Sequence, residues 1–142
     1  MSKMVANNVS GTMTDMKASF FADDSPEHAM ASGPAMLKML DGFIVSSPRN
    51  VMLLQSGAEM NCAFSQTFLE DDHRDWAIRM YRRGKSYGLR GLAIRYPELH
   101  QALTTGDEES ARALLPKVKQ KDLPLLFWTG ICWGGEINMV ME

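Results

Sequence analysis

Few residues in this chain invite a chemical reading, and each needs companions that the sequence does not supply. Gly84-Lys85-Ser86 has the ending of a phosphate-binding loop, in which backbone amides cradle the phosphates and the lysine neutralises them. That loop needs another glycine five residues before Gly84, where the chain has Arg79. His73-Arg74-Asp75 begins like a kinase catalytic loop, yet the metal-holding asparagine due five residues after the aspartate is Met80. Asp71, Asp72, His73 and Asp75 form the densest group of potential metal ligands. Consecutive residues at a helix start point in different directions, so a solvated acidic turn is expected there rather than an ion site. His28 and His100 stand alone, and no serine or cysteine has a neighbourhood that would activate it as a nucleophile. The sequence therefore reads as no enzyme, with no metal and no cofactor.

Composition narrows the partners. The formal net charge of −2 leaves no basic surplus to drive binding to nucleic acid or an acidic membrane surface. The basic residues Arg79, Arg82, Arg83, Lys85 and Arg90 fall together and read most simply as a solvated helix face, the functional reading being an anion or carboxylate contact. Cys62 and Cys132 belong to no Cys-x-x-Cys or His-rich cluster and are expected as buried thiols rather than a disulfide. Twelve methionines, among them Met30, Met36, Met39, Met52, Met60 and Met80, suit adaptable core filler, with a promiscuous apolar binding surface as the competing account. The opening residues Met1 to Asn8 carry a positive charge with no apolar run behind it, so no export signal is read. The longest apolar run, near 123–133, would span about 16 Å as a helix and is too short to cross a bilayer of about 30 Å.

The elements that must position these residues are all helices. Residues 1–24 are polar and weakly periodic, and are expected as a flexible or weakly helical segment with Met13, Met16 and Phe20 on one side. Residues 25–142 form the helical domain. Ser25-Pro26-Glu27 is a helix start: serine caps free N–H groups, proline tolerates the first turn, and glutamate suits the positive end of the dipole. That helix is expected to run to Val45 with a kink at Pro34. Ser46-Ser47-Pro48 repeats the signal for a second helix reaching Leu69, and the short connection makes the two an antiparallel hairpin. A third helix is expected from His73 to Tyr96, capped by Asp72 and stopped by Pro97. On it Gly84, Gly88 and Gly91 share a stripe, and each costs the helix about 1 kcal/mol relative to alanine. Such a stripe implies that another backbone comes close. A short helical segment around Leu99 and Leu103 and a helix from Asp107 to Leu115 follow, and Asp122 is expected to cap a final, strongly apolar helix. No stretch alternates convincingly enough for a sheet. The fold class is all-α.

Two segments carry a family resemblance. Tyr81-Arg-Arg-Gly-Lys-Ser-Tyr-Gly-Leu-Arg-Gly91 is similar to a Tyr-x-Arg-Gly-x-x-Tyr-x-Leu-Arg pattern, and Asp122-Leu-Pro-Leu-Leu-Phe-Trp-Thr-Gly-Ile-Cys-Trp-Gly134 to Asp-x-Pro-x-Leu-Tyr-Trp-Thr-x-x-x-Trp-Gly. Looser agreement covers Leu37 to Asp41, Pro48 to Leu54 and Ala63 to Leu69. Together they resemble the T component of tripartite ATP-independent periplasmic (TRAP) transporters, helical lipoproteins built from diverged tetratricopeptide-like hairpins. The resemblance implies antiparallel hairpins in an array or bundle, and a periplasmic, non-enzymatic accessory protein. It also implies docking on the transporter's solute-binding protein, an apolar ligand held in a cleft, and a homo-oligomer. Membrane attachment would come only through a lipid anchor, whose cysteine is not read in this chain. Relatives continue with further hairpins, so the chain is expected to match the N-terminal half of the family fold, with its last tryptophans more exposed than usual. Among matched positions, Tyr81, Arg83, Tyr87, Arg90, Trp128 and Trp133 are the candidates to line a ligand cleft or interface, the plain alternative being that Tyr87, Trp128 and Trp133 are core. A helical protein-interaction scaffold unrelated to transport is the competing function.

Overall fold

A computed structural model describes residues 3–142, so Met1 and Ser2, where the reading of the leader begins, lie outside the described residues. Seven α-helices and no strands are found among the described residues: α1 Lys3–Phe21, α2 Pro26–Ser46, α3 Val51–Phe64, α4 Arg74–Arg95, α5 Pro97–Thr105, α6 Glu108–Leu114 and α7 Leu123–Met141. The class is all-α as expected. The helix starts follow local chemistry in three places. Ser25 accepts a hydrogen bond from the His28 N–H at 3.2 Å, Asn50 from the Leu53 N–H at 3.2 Å, and Asp107 from the Ser110 N–H at 3.1 Å. These satisfy amides that the first helical turn leaves free.

Several local expectations are corrected. The second hairpin helix starts behind Asn50, not at Pro48, and Pro48 stays in the turn. It ends as an α-helix at Phe64, and Ser65–Leu69 continue as a π-helical turn that brings Leu69 into the core. Asp72 does not cap α4, whose boundary residue is His73 with no side-chain cap. Asp122 stands at the start of α7 without capping it, because its carboxylate accepts the Tyr96 hydroxyl proton at 2.6 Å instead. The N-terminal helix α1 is longer than the short helix expected there. Its Met13 is drawn into the core, and Lys17 reaches Glu59 of α3 at 2.5 Å.

The core centres on α4. Leu37, Leu40 and Ile44 of α2, Leu53, Leu54, Met60 and Phe64 of α3, and Cys132 and Met139 of α7 close around Met80 and Tyr81. The glycine stripe lets α3 and α7 approach α4 closely. A Cβ at Gly84 would stand 2.5 Å from the Cys62 sulfur, 2.7 Å from the Cys132 sulfur and 3.1 Å from the Ala58 carbonyl oxygen. At Gly88 it would stand 2.9 Å from Thr129 Cβ and 3.1 Å from Thr129 Cα, and at Gly91 2.8 Å from a Leu125 methyl. The close backbone approach read from the stripe is therefore met on two sides.

The expectation of two free thiols is overturned. Cys62 and Cys132 are both fully buried, with Cα atoms 5.4 Å apart, and are joined in a disulfide between α3 and α7. Their separation in sequence hid the pair. Two helices laid on the same glycine stripe bring the sulfurs together over Gly84. Closing a loop of 70 residues restricts the unfolded chain by about 4 kcal/mol on the loop-entropy account.

Gly84→Ala is expected to lower stability by about 1–3 kcal/mol in urea unfolding, since the bonded sulfurs and the Ala58 carbonyl cannot yield. Gly42→Ala, on α2 with nothing within 4 Å, is expected to raise it by up to about 1 kcal/mol through helix propensity.

Candidate functional site

The basic run on α4 does not form one solvated face. Arg83 goes to Asp41 of α2, Arg82 and Lys85 go to Glu136 of α7, Arg90 goes to the Pro48 carbonyl, and Arg79 is exposed. At Asp41, one carboxylate oxygen accepts the Tyr87 hydroxyl at 2.6 Å and the other accepts Arg83 Nη1 at 3.1 Å. One turn on, the Arg90 guanidinium lies 5.5 Å from the Tyr87 ring centroid and donates Nη2 to the Pro48 carbonyl at 3.2 Å. Residues 83, 87 and 90 recur at helical spacing, so they share the α4 face turned toward α2 and the α2–α3 turn. Tyr87 also packs its ring on Gly57 of α3, where a Cβ would come within 2.5 Å.

The second carboxylate works on the opposite flank. Glu136 accepts from Arg82 Nε at 2.7 Å with one oxygen and from Lys85 Nζ with the other. The Lys85 ammonium also stands 5.4 Å from the centroid of Trp133, held there by the ring's negative face. Burial pushes the Glu136 carboxyl up, but hydrogen bonds and charge from Lys85 and Arg82 together outweigh it and leave it below its ordinary value.

Of the six residues singled out from sequence, Arg83, Tyr87 and Arg90 are brought together around Asp41. Tyr81 lies elsewhere, fully buried on the α7 side, with its ring against Gly135 and its hydroxyl donated to Glu70. Trp133 sits beside Lys85 and Glu136, partly exposed. Trp128 is partly buried at the edge of the main core, edge-on to Phe127 at 5.2 Å. The six do not converge on one cleft. Sequence reasoning missed Asp41 and Glu136, though one signal was available: Glu136 is the only charged residue between Leu123 and Met141. A lone carboxylate in an apolar helix needs a cationic partner.

All three tyrosines hold their protons unusually tightly. Burial, and then the Glu70 carboxylate, keep the Tyr81 phenol well above its usual range. Burial and the Asp41 carboxylate push Tyr87 up to about 12, against the lowering effect of Arg83 and Arg90. Tyr96 is raised by burial and by Asp122, while the Lys119 N–H that its oxygen accepts works the other way. Apolar lining appears in a groove of about 620 Å³ between α1 and α2, where Met16, Phe20, Met36 and Met39 meet. Among the described residues no three His, Cys, Asp or Glu side chains gather as metal ligands would. No helix among them is long and apolar enough to cross a membrane.

The family model described as TRAP transporter T-component matches residues 22–142. Neither a curated protein nor a solved structure matches the chain.

Because the folded phenols titrate above the ordinary value of 10.0, their neutral forms contribute stability that is complete below about pH 10 and lost as pH rises through the folded values. Tyrosinate absorbance of the native chain is expected to stay low at pH 10 and to rise together with loss of helical circular dichroism, whereas the urea-unfolded chain titrates at the ordinary value. Glu136 has the opposite sign: its depressed value contributes stability that is complete above about 4.5 and lost as pH falls through the folded value. Glu136→Gln should cost roughly 1 kcal/mol at neutral pH, the exposed Arg82 keeping the figure small, and should flatten the acid limb of a stability–pH curve.

Proposed function

The chain belongs to the TRAP transporter T-component family, and on that basis we propose that it acts without catalysis, in the periplasm, by docking on the solute-binding protein of such a transport system. Membership of the family makes it an accessory component of a TRAP system; the docking surface is argued from chemistry. The observation that carries this choice of surface is the Asp41 cluster. Arg83 and Arg90 are exposed, yet each is held by one bond to α2 or to the turn after it; Tyr87 shares the Asp41 carboxylate with Arg83 and sets its ring beside Arg90. A guanidinium so held has lost much of its rotamer freedom already, and keeps N–H donors for a partner's carboxylates and carbonyls. Arginine and tyrosine are the side chains that most often dominate binding energy at interfaces. Tyr81, Trp128 and Trp133 belong to this reading as support, holding α4 and α7 in register.

The buried disulfide favours the same compartment. A bond between cysteines 70 residues apart forms and persists where thiols are oxidised, as in the bacterial periplasm. The reading extends to self-assembly and to an apolar ligand, for which the methionine-lined groove between α1 and α2 is the best-suited place.

The test is a binding measurement against the solute-binding protein encoded beside this chain. Association at micromolar concentration is expected, weakened at least tenfold by Arg83→Ala with Arg90→Ala, and unchanged by Arg112→Ala, whose partner is Glu108 on the separate helix α6. Absence of association at micromolar concentration would remove the docking reading and leave the interaction scaffold unrelated to transport.

A further inference from the structure

Arg82, Arg83, Lys85 and Arg90 of α4 are all engaged by an acid or a carbonyl. The cations gathered at the far end of the helix are not. Among the described residues no acid or carbonyl engages the side chains of Arg95, Lys117, Lys119 or Lys121, and all of them are exposed. Arg95 belongs to the last turn of α4, and the lysines alternate along the linker that joins α6 to α7. No acidic residue falls between Glu109 and Asp122. A chain whose net charge is −2 thus holds a corner of uncompensated positive charge.

The corner has a fixed shape. Tyr96, the residue after Arg95, accepts the Lys119 N–H at 3.0 Å and donates its hydroxyl to the buried Asp122 at 2.6 Å. One phenol thereby ties both the middle and the end of the linker to the end of α4. Two 3₁₀ turns, Leu115–Lys117 and Gln120–Asp122, take up the residues on either side. The lysines are carried on backbone that is already ordered, so less freedom remains to be lost when a partner binds. Between the linker and the start of α5 lies a pocket of about 300 Å³. Its lining is mainly apolar, with Tyr96, Pro97, Leu99 and Leu114, and the exposed Arg95 and Lys117 border it from two different elements. Glu98 is the acid among the lining residues.

We propose that this corner is a docking surface for an acidic segment of a partner protein, which sets one large apolar side chain into the pocket and its flanking carboxylates against Arg95 and Lys117. The pocket selects the anchor and the charge selects its neighbours. Binding energy at interfaces concentrates in large side chains seated in pockets, while complementary charge fixes register and disfavours wrong partners. Lys119 and Lys121 carry the positive field along the linker and speed encounter with an acidic surface. An anionic bilayer would meet the same charge but could not reach into a recess, so the pocket favours a peptide. The inference uses none of the Asp41 cluster and does not rest on the function proposed above.

Fluorescence anisotropy tests this with the full chain and a labelled peptide in which one phenylalanine is flanked by glutamates on both sides. Binding in the micromolar range is expected at low salt, weakening steeply as salt rises. Replacing the peptide's phenylalanine by alanine, or its glutamates by glutamines, should each weaken binding at least tenfold. Lys117→Glu and Arg95→Gln should do the same with helical circular dichroism unchanged, since neither side chain is engaged in the fold. Lys38→Glu makes the same change of net charge as Lys117→Glu but on α2, and should leave the affinity unchanged. No binding at high micromolar concentration, equal affinity for the alanine peptide, or indifference to Lys117→Glu would each overturn the proposal. Tighter binding to phosphatidylglycerol vesicles than to the peptide would overturn it too, assigning the corner to a membrane surface.

Discussion

The close approach of α3 and α7 to the glycine stripe of α4 is the constraint on which the rest of the molecule depends. Gly84 has the two bonded sulfurs directly above it, and Gly88 has the backbone of Thr129. Remove the space at either place and α7 must lift, taking with it the disulfide, the Tyr81 ring seated on Gly135 and the clamp at Glu136. Three glycines in a helix cost it intrinsic stability of about 1 kcal/mol each. Packing and the cross-link offset that cost, and they do so only because the helices meet at this distance.

Close packing also explains how the charges are arranged. A helix with its buried side given over to glycine keeps its long basic residues on its flanks, where they reach around to the neighbours. Arg83 and Arg90 reach α2 and the turn beyond it, and Arg82 and Lys85 reach α7. Each flank has one carboxylate, so α4 is fastened on both sides by charge-assisted bonds whose donors are partly in water. Their contribution to stability is modest. What they fix is the orientation of the guanidinium groups.

The Asp41 flank is polar and braced, with Arg83 held to α2 and Arg90 held to the turn after it. The groove between α1 and α2 is a different surface, where Met16, Phe20, Met36 and Met39 meet beside Asp23 and His28.

Much of this was legible in the linear sequence because it depends on neighbours in the chain. The all-α class, the start of α2 at Ser25, the stop before Pro97 and the glycine stripe of α4 follow from local propensity, capping and periodicity, and residues 81–91 and 122–134 pointed to the family. α3 starts later than expected because Asn50, two residues after Pro48, captures the Leu53 N–H. Asp122 does not cap α7 because the Tyr96 hydroxyl, just past the end of α4, takes its carboxylate. The disulfide, the pairing of the basic run with Asp41 and Glu136, and the separation of Tyr81 from Tyr87 could not be read at all. Each depends on which helices lie side by side and at what rotation, which is set by the packing of whole faces. Sequence by itself determined the helices and their faces; the tertiary structure decided which faces meet, because contacts between residues 70 apart exist only once the core has closed.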